Sequence, residues 1–241
     1  VNRGLLKKDI VLGNTLVDMY AKCGMLAKAQ EVLEELPVRD VISWSTLISG
    51  YTQQGQAHEA LDCFDHMQNE GLSPNVVTFI SILQACGTIG AIDKGEQIHE
   101  VVVNGRFLEK DIAIGNALVD MYAKCGFLAK AQQVFEELPT RTASSWNALL
   151  SLYAQQGQGH EALHCLQAMQ RDGFAPDSVS FTCILKACGK IKILHRKCKQ
   201  IHDEIVRSGL LREDVILGTA LVDMYVQCGE LDKAKEMIQE L

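Results

Sequence analysis

No apolar run in this 241-residue chain approaches the roughly 18 residues that a membrane-spanning helix needs. Neither a GxGxxG loop nor a P-loop occurs, so the usual phosphate-cradling signatures of nucleotide-dependent enzymes are missing. Cysteines separated by two residues are absent too, which removes the compact ligand pairs of structural zinc. Positive charge is scarce: 23 Lys and Arg face 30 Asp and Glu, for a net charge of −7. That argues against indiscriminate binding to a phosphate backbone, which needs clustered cations, and leaves room for a groove that reads single-stranded bases locally. Alternating strand-type runs are short and fall inside segments of helical period. The nine cysteines are odd in number and show no disulfide framework. Cys23, Cys125 and Cys228 each precede a Gly at one repeated position and read as small buried thiols at helix ends, free thiols suiting a reducing compartment. The chain starts at Val1 and stops inside a repeat, so it reads as a piece of a longer protein in which a missing targeting peptide means nothing.

What is present is repetition. GNTLVDMYAKCG at 13–24 returns as GNALVDMYAKCG at 115–126 and GTALVDMYVQCG at 218–229, with spacings of 102 and 103 residues. Shorter units lie inside that period: 10–40, 41–75, 76–111, 112–142, 143–177 and 178–214, with lengths of 31, 35, 36, 31, 35 and 37 residues. Residues 1–9 read as the tail of a preceding unit and 215–241 as an incomplete last one. Each unit carries two helical stripes. In the first, Leu16, Val17, Met19 and Tyr20 precede a turn at Gly24, and Leu26, Ala29, Val32, Leu33 and Leu36 precede Pro37. In the second, Trp44, Leu47, Ile48 and Tyr51 precede Gly55, and Ala60, Leu61, Phe64 and Met67 follow. A helix hairpin cannot hide its apolar face alone, and 47% apolar residues are enough to bury when neighbours stack. The expected fold is all-α, a right-handed superhelical α-solenoid of tandem helix-turn-helix repeats. First helices line its concave side, as a groove rather than a closed pocket.

The strings VISWSTLISGYTQQGQAHEALDCFDHMQNEGLSPN (41–75), VVTFISILQACGTIGAIDKGEQIHEVVVNG (from Val76) and IAIGNALVDMYAKCGFLAKAQQVFEELPTRT (112–142) resemble the P-, L- and S-type repeats of pentatricopeptide repeat proteins of the PLS subclass. The resemblance covers essentially the whole chain. It implies binding of single-stranded RNA at about one base per repeat, read by two or three side chains. Two of these are the fifth and last residues of each repeat. Carried over, they are Asn14 with Asp40 (uracil), Ser45 with Asn75 (adenine), Ile80 with Asp111 (unreadable), Asn116 with Thr142 (pyrimidine), Asn147 with Asp177 (uracil), Thr182 with Asp214 (guanine), and Thr219 (purine). The second residue packs on the bases: Val11, Ile42, Val77, Ala113, Ser144, Val179 and Ile216, with weaker clamping expected at Ala113 and Ser144. The resemblance also implies a mitochondrial or chloroplast protein that selects sites for RNA editing or processing. No cofactor is implied, and editing or processing cofactors are conceivable partners. Any deaminase would lie in a following domain or a partner.

The same residues have plainer readings. Asp, Asn and Thr just before a helix are good caps, and Asn is tolerated near a helix start. Asn offers both a donor and an acceptor to a pyrimidine edge. The basic run at 186–200 suits phosphates or a solvated face. His195, Cys183, Cys188, Cys198 and His202 are too loosely spaced for a zinc site, and Cys188 and His202 match Cys86 and His99, which points to repeat packing. His202-Asp203-Glu204 offers only half of a deaminase signature, without its Pro-Cys-x-x-Cys partner. A protein-binding scaffold, or a structural part of an organellar ribonucleoprotein such as a mitochondrial ribosome, is the competing function.

Overall fold

A computed structural model describes residues 10–189, 195–212 and 214–240. It resolves into two compact units, Val1–Phe127 and Leu128–Leu241. The predicted leading tail, 1–9, lies outside the described residues.

In the first unit the helices are α1 (Ile10–Lys22), α2 (Leu26–Glu35), α3 (Val41–Gln53), α4 (Ala57–Asn69), α5 (Val76–Ile89), α6 (Ile92–Asn104), a single-turn α7 (Phe107–Lys110) and α8 (Ile112–Lys124). The first helices α1, α3, α5 and α8 pack on one another in succession. Each second helix packs on its own first helix and against the next one: α2 on α3, α4 on α5, α6 on α8. The second unit holds α9 (Leu128–Glu137), α10 (Ala143–Gln155), α11 (Gly159–Arg171), α12 (Ser178–Gly189), α13 (His195–Ser208), a 3₁₀ turn (Leu210–Arg212), α14 (Val215–Cys228) and α15 (Leu231–Glu240). It repeats the pattern, with α10, α12 and α14 as the successive first helices. Among the described residues there is no strand.

Buried residues recur at helical spacing. In α3 they are Trp44, Leu47, Ile48 and Tyr51; in α4 Ala60, Phe64 and Met67. First helices approach closely through small residues: a Cβ on Gly50 would stand 2.9 Å from that of Ala21. The turn of the first hairpin needs Gly24, whose φ of +73° suits a residue without a Cβ. Met121 is buried where α6 offers Gly95, whereas its counterpart Met19 is exposed.

The cysteine expectation needs correcting. Cys23 is exposed, and Cys125 and Cys228 are half-buried. They sit at the last helical turn, where the chain is already leaving the interface. The deeply buried thiols are others: Cys63, Cys86 and Cys165, each pushed up to about 12 by burial, and Cys188, pushed up to about 11 for the same reason.

Candidate nucleic-acid interface

The second position of each first helix faces neither neighbour. Val11 is 69% exposed, Ile42 59%, Val77 51%, Val179 54% and Ile216 71%. Ala113 and Ser144 are exposed as well. Five large β-branched side chains thus stand exposed at one repeated register position.

Next to them, the fifth residue meets the last residue of its own repeat. Asn14 Nδ2 donates to Asp40 Oδ1 and Oδ2 at 3.2 and 3.3 Å, and Asn147 Nδ2 to Asp177 Oδ1 and Oδ2 at 3.1 and 3.0 Å. A carboxylate only accepts, so the amide nitrogen must face it. Two carboxylate oxygens subtend far less than the angle between two N–H bonds. One N–H is therefore shared between both oxygens and the other stays available. The amide oxygens turn inward: Asn147 Oδ1 accepts from Ser180 Oγ at 2.6 Å, and Asn14 Oδ1 is buried. This alters the expectation that Asn presents both a donor and an acceptor outward. The outward acceptor is the carboxylate.

The same carboxylates start the next helices. Asp40 Oδ1 accepts from Ser43 N at 2.8 Å, while Ser43 Oγ accepts from Asp40 N at 2.9 Å. Asp177 with Ser180, Asn75 with Thr78 and Thr142 with Ser145 form the same reciprocal caps. Asp111 caps α8 through Ala113 N at 2.8 Å. Asp214 caps α14; the backbone N–H of Leu217, then Ser178, then the N–H of Ile216 hold its carboxyl below the usual range. Capping and side-chain clamping are thus one arrangement at Asp40 and Asp177.

Other positions depart from this pattern. Ser45 is buried, its hydroxyl sharing contacts with Thr78 Oγ1 at 2.7 Å and Asn75 Oδ1 at 3.3 Å. Asn75 Oδ1 is engaged as well, by Thr78 N at 2.9 Å. Ile80 is half-buried and offers no polar atom. Asn116 and Thr182 are half-buried; Thr219 is exposed but donates to Val215 O at 2.8 Å. The buried third-position hydroxyls of Ser43, Thr78, Ser145 and Ser180 were not anticipated. Their recurrence before the fifth position was the signal available.

Elsewhere, His202 Nδ1 bonds the Tyr225 hydroxyl, as His99 Nδ1 bonds that of Tyr122 at 2.9 Å. His202 is thus engaged in repeat packing. Among the described residues no three His, Cys, Asp or Glu side chains converge as metal ligands, and no helix is long and apolar enough to cross a membrane. The middle of the basic run, 190–194, and the side chains of His195 and Cys198 lie outside the described residues.

Within each unit, stacked hairpins whose first helices pack on one another in succession define a tandem helical-repeat protein. The PPR repeat family matches residues 39–88 and 141–190, and the PPR repeat matches 14–41, 116–141 and 219–241, together well over half of the sequence. The chain belongs to the pentatricopeptide repeat family. It is 37% identical over 236 residues to a putative pentatricopeptide repeat-containing protein of Arabidopsis thaliana, covering 97% of this chain and 34% of that protein. A mitochondrial relative from the same plant is 36% identical over 241 residues (99% and 37% covered), and a chloroplastic one 33% identical over 234 residues (97% and 37% covered). The chain spans about a third of the length of these curated relatives. Its fold matches the crystal structure of the pentatricopeptide repeat protein PPR10 in complex with an 18-nt psaJ RNA element. The TM-score is 0.77 at 20% identity, covering 95% of this chain and 34% of that one.

Proposed function

We propose that this chain binds single-stranded RNA in a sequence-dependent way, as the recognition part of an organellar RNA-editing or RNA-processing factor. The observation that carries this reading is the exposed aliphatic row beside Asn–Asp pairs clamped by helix caps. Aliphatic side chains on either side of a base exclude water from its faces. The free amide N–H of Asn14 or Asn147 then meets a pyrimidine O4 while the Asp carboxylate accepts from N3–H, the pattern of uracil. Repeats at 10–40, 41–75, 76–111, 112–142, 143–177 and 178–214, with 215–241 incomplete, give the register U-A-any-pyrimidine-U-(G)-(purine). At the adenine position Asn75 supplies the donor because Ser45 is turned inward.

The repeat lengths run 31, 35, 36 and then 31, 35, 37 residues, which supports the PLS subclass. Relatives named as mitochondrial and chloroplastic support an organellar location. Any deaminase acting on the RNA would lie in a following domain or a partner. Competition binding with short RNAs tests the reading: the matched register should outcompete shuffled RNA, and equal affinities sink the specificity claim. In a sharper form, Asn147→Thr with Asp177 kept should move the preference at that base from U towards G.

A further inference from the structure

Two hairpins 102 residues apart carry the two tryptophans of this chain and act as controls for one another. In the first, Trp44 Nε1 donates to Glu70 Oε2 at 2.8 Å and Arg39 Nη1 donates to Glu70 Oε1. The His66 ring stacks on the indole, centroids 6.3 Å apart and planes 15° from parallel. One carboxylate thus satisfies an indole N–H and a guanidinium, with a flat ring beside it.

The second hairpin keeps Trp146 and Arg141 but has Asp172 where Glu70 stands and Ala168 where His66 stands. A carboxylate one methylene shorter reaches only Arg141, 3.5 Å from Oδ2 to Nη1. Trp146 is 4% exposed and its Nε1 has no acceptor; Arg141 Nε is buried without one as well. Beside them opens a cleft of about 410 Å³ between α9, α10 and α11, lined by Phe135, Leu149, Tyr153 and Ala168 among others. Its rim has shifted towards positive charge, with His164 in place of Asp62 and Arg171 in place of Asn69, while Glu136 and Glu161 remain as in the first hairpin. Lost ring, shortened acid and altered rim all act in one place. Buried donors without acceptors are unfavourable, and an added carboxylate would satisfy both.

We propose that this cleft docks an acidic side chain of a partner protein. The incoming carboxylate takes the position that Glu70 holds in the first hairpin, accepting from Trp146 Nε1 and Arg141 together. A flat residue next to it in the partner fills the space of the His66 ring. None of the candidate base-reading residues lines the cleft, so this site stands apart from RNA binding.

The two indole N–H signals of the ¹⁵N-labelled chain report on it directly, with Trp44→Phe assigning them. A capped glutamyl-phenylalanine amide should move the Trp146 signal saturably and leave that of Trp44 in place; the glutaminyl analogue should bind at least tenfold more weakly. Asp172→Glu combined with Ala168→His should shift the Trp146 signal towards that of Trp44 without ligand and abolish the response. If the double variant does not fold, Asp172→Glu alone carries the same expectation. An unmoved Trp146 signal, an equal response to both peptides, or the same shift produced by inorganic phosphate overturns the proposal.

Discussion

At Asp40 and Asp177 a single carboxylate starts a helix and orients an amide. The two roles separate by substitution. Ser caps about as well as Asp, so Asp177→Ser should leave the denaturation midpoint nearly unchanged, whereas Asp177→Ala should cost about 1 kcal/mol. Both should weaken the preference for U over C at that base, read by competition binding, because neither supplies the carboxylate that holds the Asn147 amide and accepts from N3–H. The residue types were legible in the sequence, and so was their dual reading as caps or base contacts. The direction of the amides was not: it is set by Asp40 and Asp177, 26 and 30 residues away, and by the Ser180 hydroxyl. The inward turn of the Ser45 hydroxyl was hidden for the same reason, since Thr78 across the repeat boundary draws it in. Thiol exposure gives another test at this scale. Cys23 should be alkylated by iodoacetamide in the folded chain well before Cys86, whose buried thiol, pushed up to about 12, carries almost no thiolate near neutral pH.

Helices fail or succeed at their contacts. Gly50 is in the interior of α3, where Ala would ordinarily be the better helix former by roughly 0.5–1 kcal/mol. A Cβ there would meet the Ala21 Cβ at 2.9 Å and Leu26 Cδ2 at 3.0 Å. Overpacking of this kind costs roughly 1–3 kcal/mol, so Gly50→Ala should destabilise on balance, seen as a lower urea midpoint with an unchanged slope. Most elements were legible because Trp44, Leu47, Ile48 and Tyr51, and their counterparts, follow the helical period. The start of α1 at Ile10 was less so: Val11 and Leu12 are exposed and add nothing to a buried stripe. The four residues of α7 are too few to show any period.

Both units carry buried thiols, which makes the alkaline limb of stability a property of the whole molecule. Cys63 and Cys86 in one unit and Cys165 in the other are pushed up from 9.0 to about 12, and Cys188 to about 11. A raised folded pKa means that the native state holds its protons where the unfolded chain releases them. Stability is then fully present below pH 9 and lost as pH rises through 9 towards 12. At one unit above the unfolded value each thiol accounts for about 1.4 kcal/mol. Urea denaturation at pH 7 and pH 10 under reducing conditions should show this loss, and a stability unchanged at pH 10 would refute it.

The residue that closes one repeat is also the first anchor of the next helix. Asp40, Asn75, Asp111, Thr142, Asp177 and Asp214 are therefore confined to the short polar side chains that can cap. In the proposed reading base choice is drawn from the same position, which makes the alphabet of the code the alphabet of helix caps. A graft cut between residues 40 and 41 severs a letter from the helix that it opens, and transplanted specificity should travel intact only when the cut falls elsewhere, as within the hairpin turn at Gly24.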